Sequence, residues 1–164
     1  DEPDPVLIEH VVSEITTLLG AKTRYEKIHD RRLYFFKVNH DELKMEFSRY
    51  PFHQLEPVQM IDGIRVDSLR DIAANKLAAL IDRFDPKDFV DLYFLLQDRS
   101  LEEIRMDTVK KFGLTISPLF LGSELAKVKR IEALPRMVKS LTVEELKTFF
   151  SEQARHLMPN VLET

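Results

Sequence analysis

The sequence of 164 residues contains no cysteine, only four glycines, and no hydrophobic run long enough to span a membrane. Without cysteine, the chain cannot form disulfides, zinc-thiolate sites or a thiol nucleophile. The absence also fits a reducing compartment, and we expect a cytoplasmic protein. The few glycines form no glycine-rich phosphate-binding loop, and the Gly-x-Ser-x-Gly motif of serine hydrolases is missing.

The composition that remains is typical of a globular protein, with 44% hydrophobic and 32% charged residues. The length is sufficient for one hydrophobic core, with or without an appended lobe. The net charge of -4 gives no general attraction to nucleic acid, so an RNA partner would need a local basic patch. The five histidines are scattered, and no pair has the spacing of a metal-binding helix.

The first third of the chain predicts one helix followed by three strands. Apolar residues recur at helical spacing from Val6 to Leu19, and Gly20 follows as a stop signal. Turn residues separate three strand-like runs, which predict an antiparallel meander, at residues 23–29, 32–38 and 42–50. Residues 52–62 predict a loop, and residues 64–66 predict a short extended segment.

From Asp67 onward the pattern is helical. Three pairs match the pattern of a helix N-terminal capping box: Ser68 with Asp71, Ser100 with Glu103, and Thr142 with Glu145. Asp85 followed by Pro86 predicts another helix start, because proline suits the first helical position. Residues 119–131 are also predicted to be helical. The chain is therefore expected to have an α+β fold, with a mixed or antiparallel sheet and helices followed by an all-helical C-terminal region.

A set of charged residues interrupts two otherwise apolar helical segments: Lys76, Arg83, Lys87, Asp88 and Asp91. Lys76 falls inside an apolar stripe, where a cation is costly unless it is paired. Lys76 and Arg83 are seven residues apart and so share one helix face. Asp88 and Asp91 are three residues apart and share another. The turn between the segments would fold the two faces together.

Two interpretations of this set remain open on residue pattern alone. One is a buried ion-pair network that fixes helix register, since such networks also perturb charges at structural sites. The other is a site for phosphate chemistry. Asp88 has a further structural explanation, because a carboxylate near the third helical position can satisfy free amides and suits the helix dipole.

Two other features each have a structural and a functional interpretation. Glu46 lies on the polar face of a predicted strand, where a solvated sheet face is the commoner outcome and a metal ligand is the functional alternative. A basic stretch could contact RNA phosphates or could be a solvated helix face. It consists of Lys127, Lys129, Arg130, Arg136 and Lys139.

Two segments resemble the hallmark block of the AbiEii/AbiGii-type nucleotidyltransferase toxins: residues 64–83, IRVDSLRDIAANKLAALIDR, and residues 86–96, PKDFVDLYFLL. Residues 43–51, LKMEFSRYP, resemble the segment just upstream in that family. The resemblance covers Phe35 to about Gly113 and is diffuse in the last part of the chain. It implies a nucleotidyltransferase fold of the polymerase-β type, with residues 1–66 as an incomplete core and residues 67–164 as a helical region.

The resemblance also implies an activity, cofactors and partners. It implies transfer of a nucleotide from an NTP to an acceptor such as RNA or tRNA, with Mg²⁺ as cofactor. It further implies a bacterial toxin–antitoxin or abortive-infection system with a cognate antitoxin. Phosphoryl chemistry of this kind depends chiefly on positioned cations and metal-held carboxylates.

The resemblance assigns roles to individual residues. Lys76 matches the essential lysine of the family, as a catalytic residue and a phosphate contact. Asp88 and Asp91 match a second catalytic cluster, and Arg83 and Lys87 are implied to bind the nucleotide. Glu46 matches the position of a metal-binding carboxylate on a strand.

One part of the family pattern is missing from this sequence. The family's first motif is a Gly-Gly or Gly-Ser turn followed by a strand with two metal-binding carboxylates, and it should precede Val6. Asp1, Glu2 and Asp4 surround prolines and do not match it. We therefore expect this polypeptide to be inactive alone. The alternatives are a non-catalytic binding module and a structural domain of the same fold.

Overall fold

The computed structural model describes residues 5–157, so Asp1, Glu2 and Asp4 lie outside the described residues. Two compact units make up the chain, the first ending at Pro51 and the second beginning at Phe52. The described residues contain six α-helices, one three-stranded sheet and one two-stranded sheet. The predicted α+β fold class is confirmed, whereas the division into functional domains after residue 66 stays a prediction.

The first unit consists of a helix and an antiparallel meander, as the sequence predicted. Helix α1 spans Pro5–Leu19. Three strands follow: β1 (Lys22–Ile28), β2 (Arg31–Val38) and β3 (Asp41–Phe47). The order in the sheet is β1-β2-β3, and all neighbouring strands are antiparallel. The third strand ends earlier than expected, because its last partner on β2 is Arg32, opposite Phe47.

The core of the first unit lies between α1 and β2. Ile8 and Val12 from the helix form a buried cluster with Tyr34 and Phe36 from the strand. Strand β1 contributes no buried residue to this cluster, because all seven of its residues are exposed. The central strand therefore carries most of the buried surface of the sheet.

The second unit contains a short hairpin, of which the sequence analysis predicted only the second strand. Strands β4 (Gln59–Ile61) and β5 (Ile64–Val66) pair antiparallel. Asp62 and Gly63 form the turn, with φ of 50° and 78°. Two central residues with positive φ are typical of the type I′ hairpin turn, for which Asp-Gly is a favoured sequence. The prediction of a loop over residues 52–62 was therefore wrong at its C-terminal end.

Five α-helices follow in the second unit: α2 (Leu69–Asp82), α3 (Pro86–Leu95), α4 (Leu101–Phe112), α5 (Pro118–Ala126) and α6 (Val143–Leu157). Helix α2 packs against α3 and α4, and α5 packs against α6. The buried core includes Phe89 and Phe150, whose rings are perpendicular with centroids 5.3 Å apart. No helix within residues 5–157 combines the length and apolar character needed to cross a bilayer.

The segment predicted as one helix over residues 119–131 is divided in the structure. Helix α5 ends at Ala126, and a 3₁₀ turn follows over Lys127–Arg130. Val128 and Ile131 are both buried, and the amide of Ile131 donates to the carbonyl of Val128 at 3.0 Å. Because a 3₁₀ turn has three residues per turn, it places these two side chains on the same side.

Candidate functional site

Helices α2 and α3 bring Lys76 together with both predicted carboxylates. The ammonium Nζ of Lys76 lies 2.5 Å from Oδ2 of Asp91 and 3.3 Å from Oδ1 of Asp88. The Asp88 side chain is only 1% exposed, whereas the Asp91 side chain is 46% exposed. One buried and one exposed carboxylate thus hold the same cation.

Arg83 reaches the same buried carboxylate from a different backbone position than expected. Its Nε donates to Oδ2 of Asp88 at 3.0 Å. Helix α2 ends at Asp82, and Arg83 is the C-cap residue with extended φ and ψ of -144° and 159°. The prediction that Arg83 shares a helix face with Lys76 was therefore wrong, although both cations meet at Asp88.

Asp88 lies in the first turn of α3, where its charge suits the helix dipole as expected, but its carboxylate does not cap the helix amides. The N-cap of α3 is Asp85, whose Oδ1 accepts from the amide of Lys87 at 2.9 Å. Both oxygens of Asp88 instead accept hydrogen bonds from Lys76 and Arg83. The buried position of Asp88 follows from its place between two cations. The side chain of Lys87, the residue before Asp88, is exposed.

The surroundings keep both cations fully charged. Burial by itself lowers the pKa of Lys76, but the hydrogen bonds and negative charges of Asp91 and Asp88 outweigh it, and the net pKa is raised. The hydrogen bond and charge of Asp88 likewise raise the pKa of Arg83. The group therefore consists of two cations held by one buried and one exposed carboxylate, so its formal charges balance.

Glu46 belongs to the first unit, in strand β3. Its carboxylate forms ion pairs with Arg31 at 3.2 Å and with Lys44 at 3.5 Å. Within residues 5–157, no group of three or more Asp, Glu or His side chains is placed to hold a metal ion. The described residues therefore do not fit a magnesium centre by themselves. The metal-binding role of Glu46 stays a prediction.

A buried ion pair that the sequence analysis missed lies elsewhere in the second unit. Nζ of Lys111, on α4, donates to Oδ1 of Asp71, on α2, at 2.6 Å. The Asp71 carboxylate also accepts from Ser68 Oγ at 2.7 Å, from the Leu55 amide at 2.9 Å and from the Glu56 amide at 3.1 Å. The pKa of Asp71 is lowered to about 2, because these hydrogen bonds outweigh the opposing effect of burial.

This arrangement also changes the predicted capping box. Oγ of Ser68 accepts from the Asp71 amide at 3.0 Å, so the first half of the box is present. The Asp71 carboxylate accepts from Lys111 and from the chain at residues 55–56 instead of completing the box. A signal for Lys111 was available, since it follows buried Ile104 by seven residues and buried Thr108 by three.

The predicted basic stretch divides into residues with different surroundings. Lys127 pairs with Glu124 at 2.5 Å, and Arg130 lies over the ring of Phe84, with its guanidinium carbon 4.3 Å from the ring centroid. Arg136 and Lys139 instead line a groove against α3. The stretch is therefore not one continuous helix face.

A family model described as Nucleotidyl transferase AbiEii toxin, Type IV TA system, matches residues 6–157. The chain belongs to the AbiEii family. The match extends on both sides of the region, Phe35 to about Gly113, in which we noted the resemblance. No curated protein and no solved structure matches the chain. As an AbiEii member, the chain is a nucleotidyltransferase-type toxin of a type IV toxin–antitoxin system.

In this AbiEii chain, the group around Asp88 has the chemical features of an anion-binding site. Arg83 is 59% exposed although its Nε is engaged, and Lys76 is 29% exposed. A guanidinium carries five N–H donors, so one hydrogen bond to Asp88 leaves others available to a ligand. The buried carboxylate thus orients both cations, and the exposed Asp91 supplies the second negative charge that a phosphate would have to displace.

Proposed function

We propose that this chain binds the nucleoside triphosphate in a nucleotidyl transfer from an NTP to an acceptor such as RNA or tRNA, in the cytoplasm, with a cognate antitoxin as partner. The observation that carries the proposal is the placement of Lys76 and Arg83 on the two oxygens of the buried Asp88 carboxylate. Membership of the AbiEii family supports the reaction class.

The proposed roles follow from exposure and charge. Asp88 is a positioning residue, because its side chain is 1% exposed and both of its oxygens are engaged. Lys76 and Arg83 contact the triphosphate, and the exposed Lys87 adds a third cation. Asp91 shares Lys76 with Asp88, and its exposed side chain can rotate toward solvent when a phosphate competes for the ammonium.

The proposed reaction has little covalent chemistry for the protein to perform. An acceptor hydroxyl oxygen forms a bond to the α-phosphorus while the bond from that phosphorus to the α,β-bridging oxygen breaks. Pyrophosphate leaves with the electron pair, and the hydroxyl proton passes to solvent. Lys76 and Arg83 stabilise the negative charge that grows on the leaving group, since preorganised cations are most effective where charge develops.

By resemblance, Glu46 would be one ligand of a Mg²⁺ ion, and that ion would supply charge neutralisation for a phosphate. Because the described residues do not complete a metal site, no step above depends on the metal. We also propose that the polypeptide is inactive alone. Robust nucleotide transfer by the 164-residue chain would contradict that part.

The proposal is tested by replacing Lys76 with Met and measuring both NTP binding and unfolding. Isothermal titration of each NTP, with and without Mg²⁺, gives the affinity, and urea denaturation gives the free energy of unfolding. We expect Lys76→Met to lose NTP binding at least about tenfold, as expected for a lost charge-assisted contact worth about 1.5–3 kcal/mol, while the protein stays folded. Lys110→Met is the matched control, because Lys110 is an exposed lysine on α4.

The second candidate function is a structural domain in which the ion pairs only set the helix register. It is favoured by one observation, that Asp88 is buried and saturated by its two partners. It predicts that Lys76→Met lowers the free energy of unfolding and that any change in NTP binding only follows the loss of folded protein. Unchanged NTP affinity in the folded variant would reject the triphosphate role.

A further inference from the structure

A groove lined by more basic than acidic side chains lies along α3, in the second unit. Its volume is about 340 Å³. Helix α3 forms one wall and the irregular segment 135–139 forms the other, and the lining contains Lys87, Arg136 and Lys139 but only one carboxylate, Asp91. The volume lies within the range of small-molecule sites, which begins at about 300 Å³.

The three cations of the groove are not neutralised by carboxylates. Asp91 is engaged by Lys76 at 2.5 Å, and within residues 5–157 none of Lys87, Arg136 and Lys139 forms an ion pair. The lining of the groove therefore carries excess positive charge. An anion in the groove would provide the missing counter-charge.

The apolar part of the groove includes one aromatic ring. Phe94 lines the groove, and Nζ of Lys139 lies 4.9 Å from its ring centroid. Val138 also belongs to the lining, and its side chain is fully exposed. A cationic groove with an aromatic wall is the combination by which proteins hold unpaired nucleotides, through phosphate contacts and stacking.

From these observations we propose that the groove is a nucleotide-binding subsite. Arg136, Lys139 and Lys87 contact phosphate, and the base lies against Phe94 and Val138. The two sources of such a nucleotide are a single-stranded nucleic acid and a free NTP. The inference rests on the proposed function only in that Lys87 and Asp91 connect the groove to the group around Lys76.

The test uses the full chain and a double variant, Arg136→Gln with Lys139→Gln. The matched control is Arg155→Gln with Lys110→Gln, which removes the same charge from exposed residues that do not line the groove. One probe is a short fluorescein-labelled single-stranded RNA of mixed sequence, followed by fluorescence anisotropy. The other is each NTP, followed by calorimetry. Urea denaturation checks that both variants remain folded.

If the groove holds a nucleic-acid strand, the groove variant weakens RNA binding about tenfold relative to the control. The decrease of log K with log salt concentration then becomes less steep, by about 0.7 in slope for each phosphate contact removed. If the groove holds the free NTP, the groove variant weakens NTP binding and leaves RNA binding unchanged. Weakening of either probe supports the subsite, and the probe affected identifies the source.

The inference is overturned if the groove variant binds both probes as tightly as the control, or if the unsubstituted chain binds neither. This outcome is separable from failure of the proposed function. Loss of NTP binding in Lys76→Met together with an unchanged groove variant leaves the triphosphate role standing and rejects the groove. The opposite outcome is RNA binding that depends on the groove together with NTP affinity that does not depend on Lys76. That outcome supports the groove and rejects the triphosphate role.

Discussion

Nζ of Lys111 lies 2.6 Å from Oδ1 of Asp71, and neither side chain has any exposed surface. The pair joins α2 to α4 across forty residues of sequence. Asp71 also binds the amides of Leu55 and Glu56, so one carboxylate ties the start of the second unit to two of its helices. Buried pairs are not always stabilising overall, but breaking one leaves an uncompensated charge.

The first prediction concerns this pair. Lys111→Met removes the ammonium and leaves the Asp71 carboxylate buried, so we expect the free energy of unfolding to fall by about 3–5 kcal/mol. Urea denaturation at neutral pH measures the change. Lys110→Met, at the exposed neighbouring position, should change it by no more than about 0.5 kcal/mol. Equal stabilities of the two variants would contradict the prediction.

The second prediction concerns the pH dependence of stability. The pKa of Asp71 is lowered from 3.8 to about 2 in the folded protein. A lowered folded-state pKa stabilises the protein above the unfolded value, and the contribution is lost as pH falls through the folded value. The shift corresponds to about 2 kcal/mol.

We therefore compare the unsubstituted chain with Asp71→Asn in urea denaturation over a pH series. The difference in unfolding free energy between them should be constant above about pH 5 and should narrow by about 2 kcal/mol as the pH falls to about 2. The comparison subtracts the titration of the other carboxylates, which both proteins share. A difference that does not vary with pH would show that Asp71 is not the group responsible.

The third prediction separates the two carboxylates that hold Lys76. Asp88→Asn leaves two cations next to a neutral, buried amide, so we expect a loss of about 2 kcal/mol in unfolding free energy. Asp91→Asn removes a carboxylate that is 46% exposed, so we expect a loss of less than about 1 kcal/mol. Urea denaturation of the two variants side by side provides the measurement. The reverse order of stabilities would be inconsistent with Asp88 as the positioning residue.

The fourth prediction tests a capping box that the structure contains in full. Ser100 accepts from the Glu103 amide at 3.2 Å, and the Glu103 carboxylate accepts from the Ser100 amide at 2.8 Å. Ser100→Ala should lower the unfolding free energy by about 1 kcal/mol. Ser140→Ala is the control at an exposed serine outside the helices, and thermal melting of both variants should show a lower midpoint for Ser100→Ala alone.

Much of the second unit's helical layout was predictable because its signals are local. Asp85 caps α3 with Pro86 at the first helical position, and Ser100 with Glu103 caps α4. Each of these contacts joins residues that are two or three positions apart, so the sequence contains both partners of the interaction. The set of charges around Lys76 was also recognisable, since polar residues stood out within apolar stripes.

The sequence by itself determined where helices begin and that Lys76 needs an anionic partner, because these depend on neighbouring residues and on the cost of burying charge. Only the tertiary structure decided that Asp88 is buried between Lys76 and Arg83 while Asp91 stays exposed. It alone paired Lys111 with Asp71 and placed Arg136 and Lys139 against α3. These arrangements depend on how helices distant in sequence pack, and the spacing of residues along one helix does not specify its neighbour.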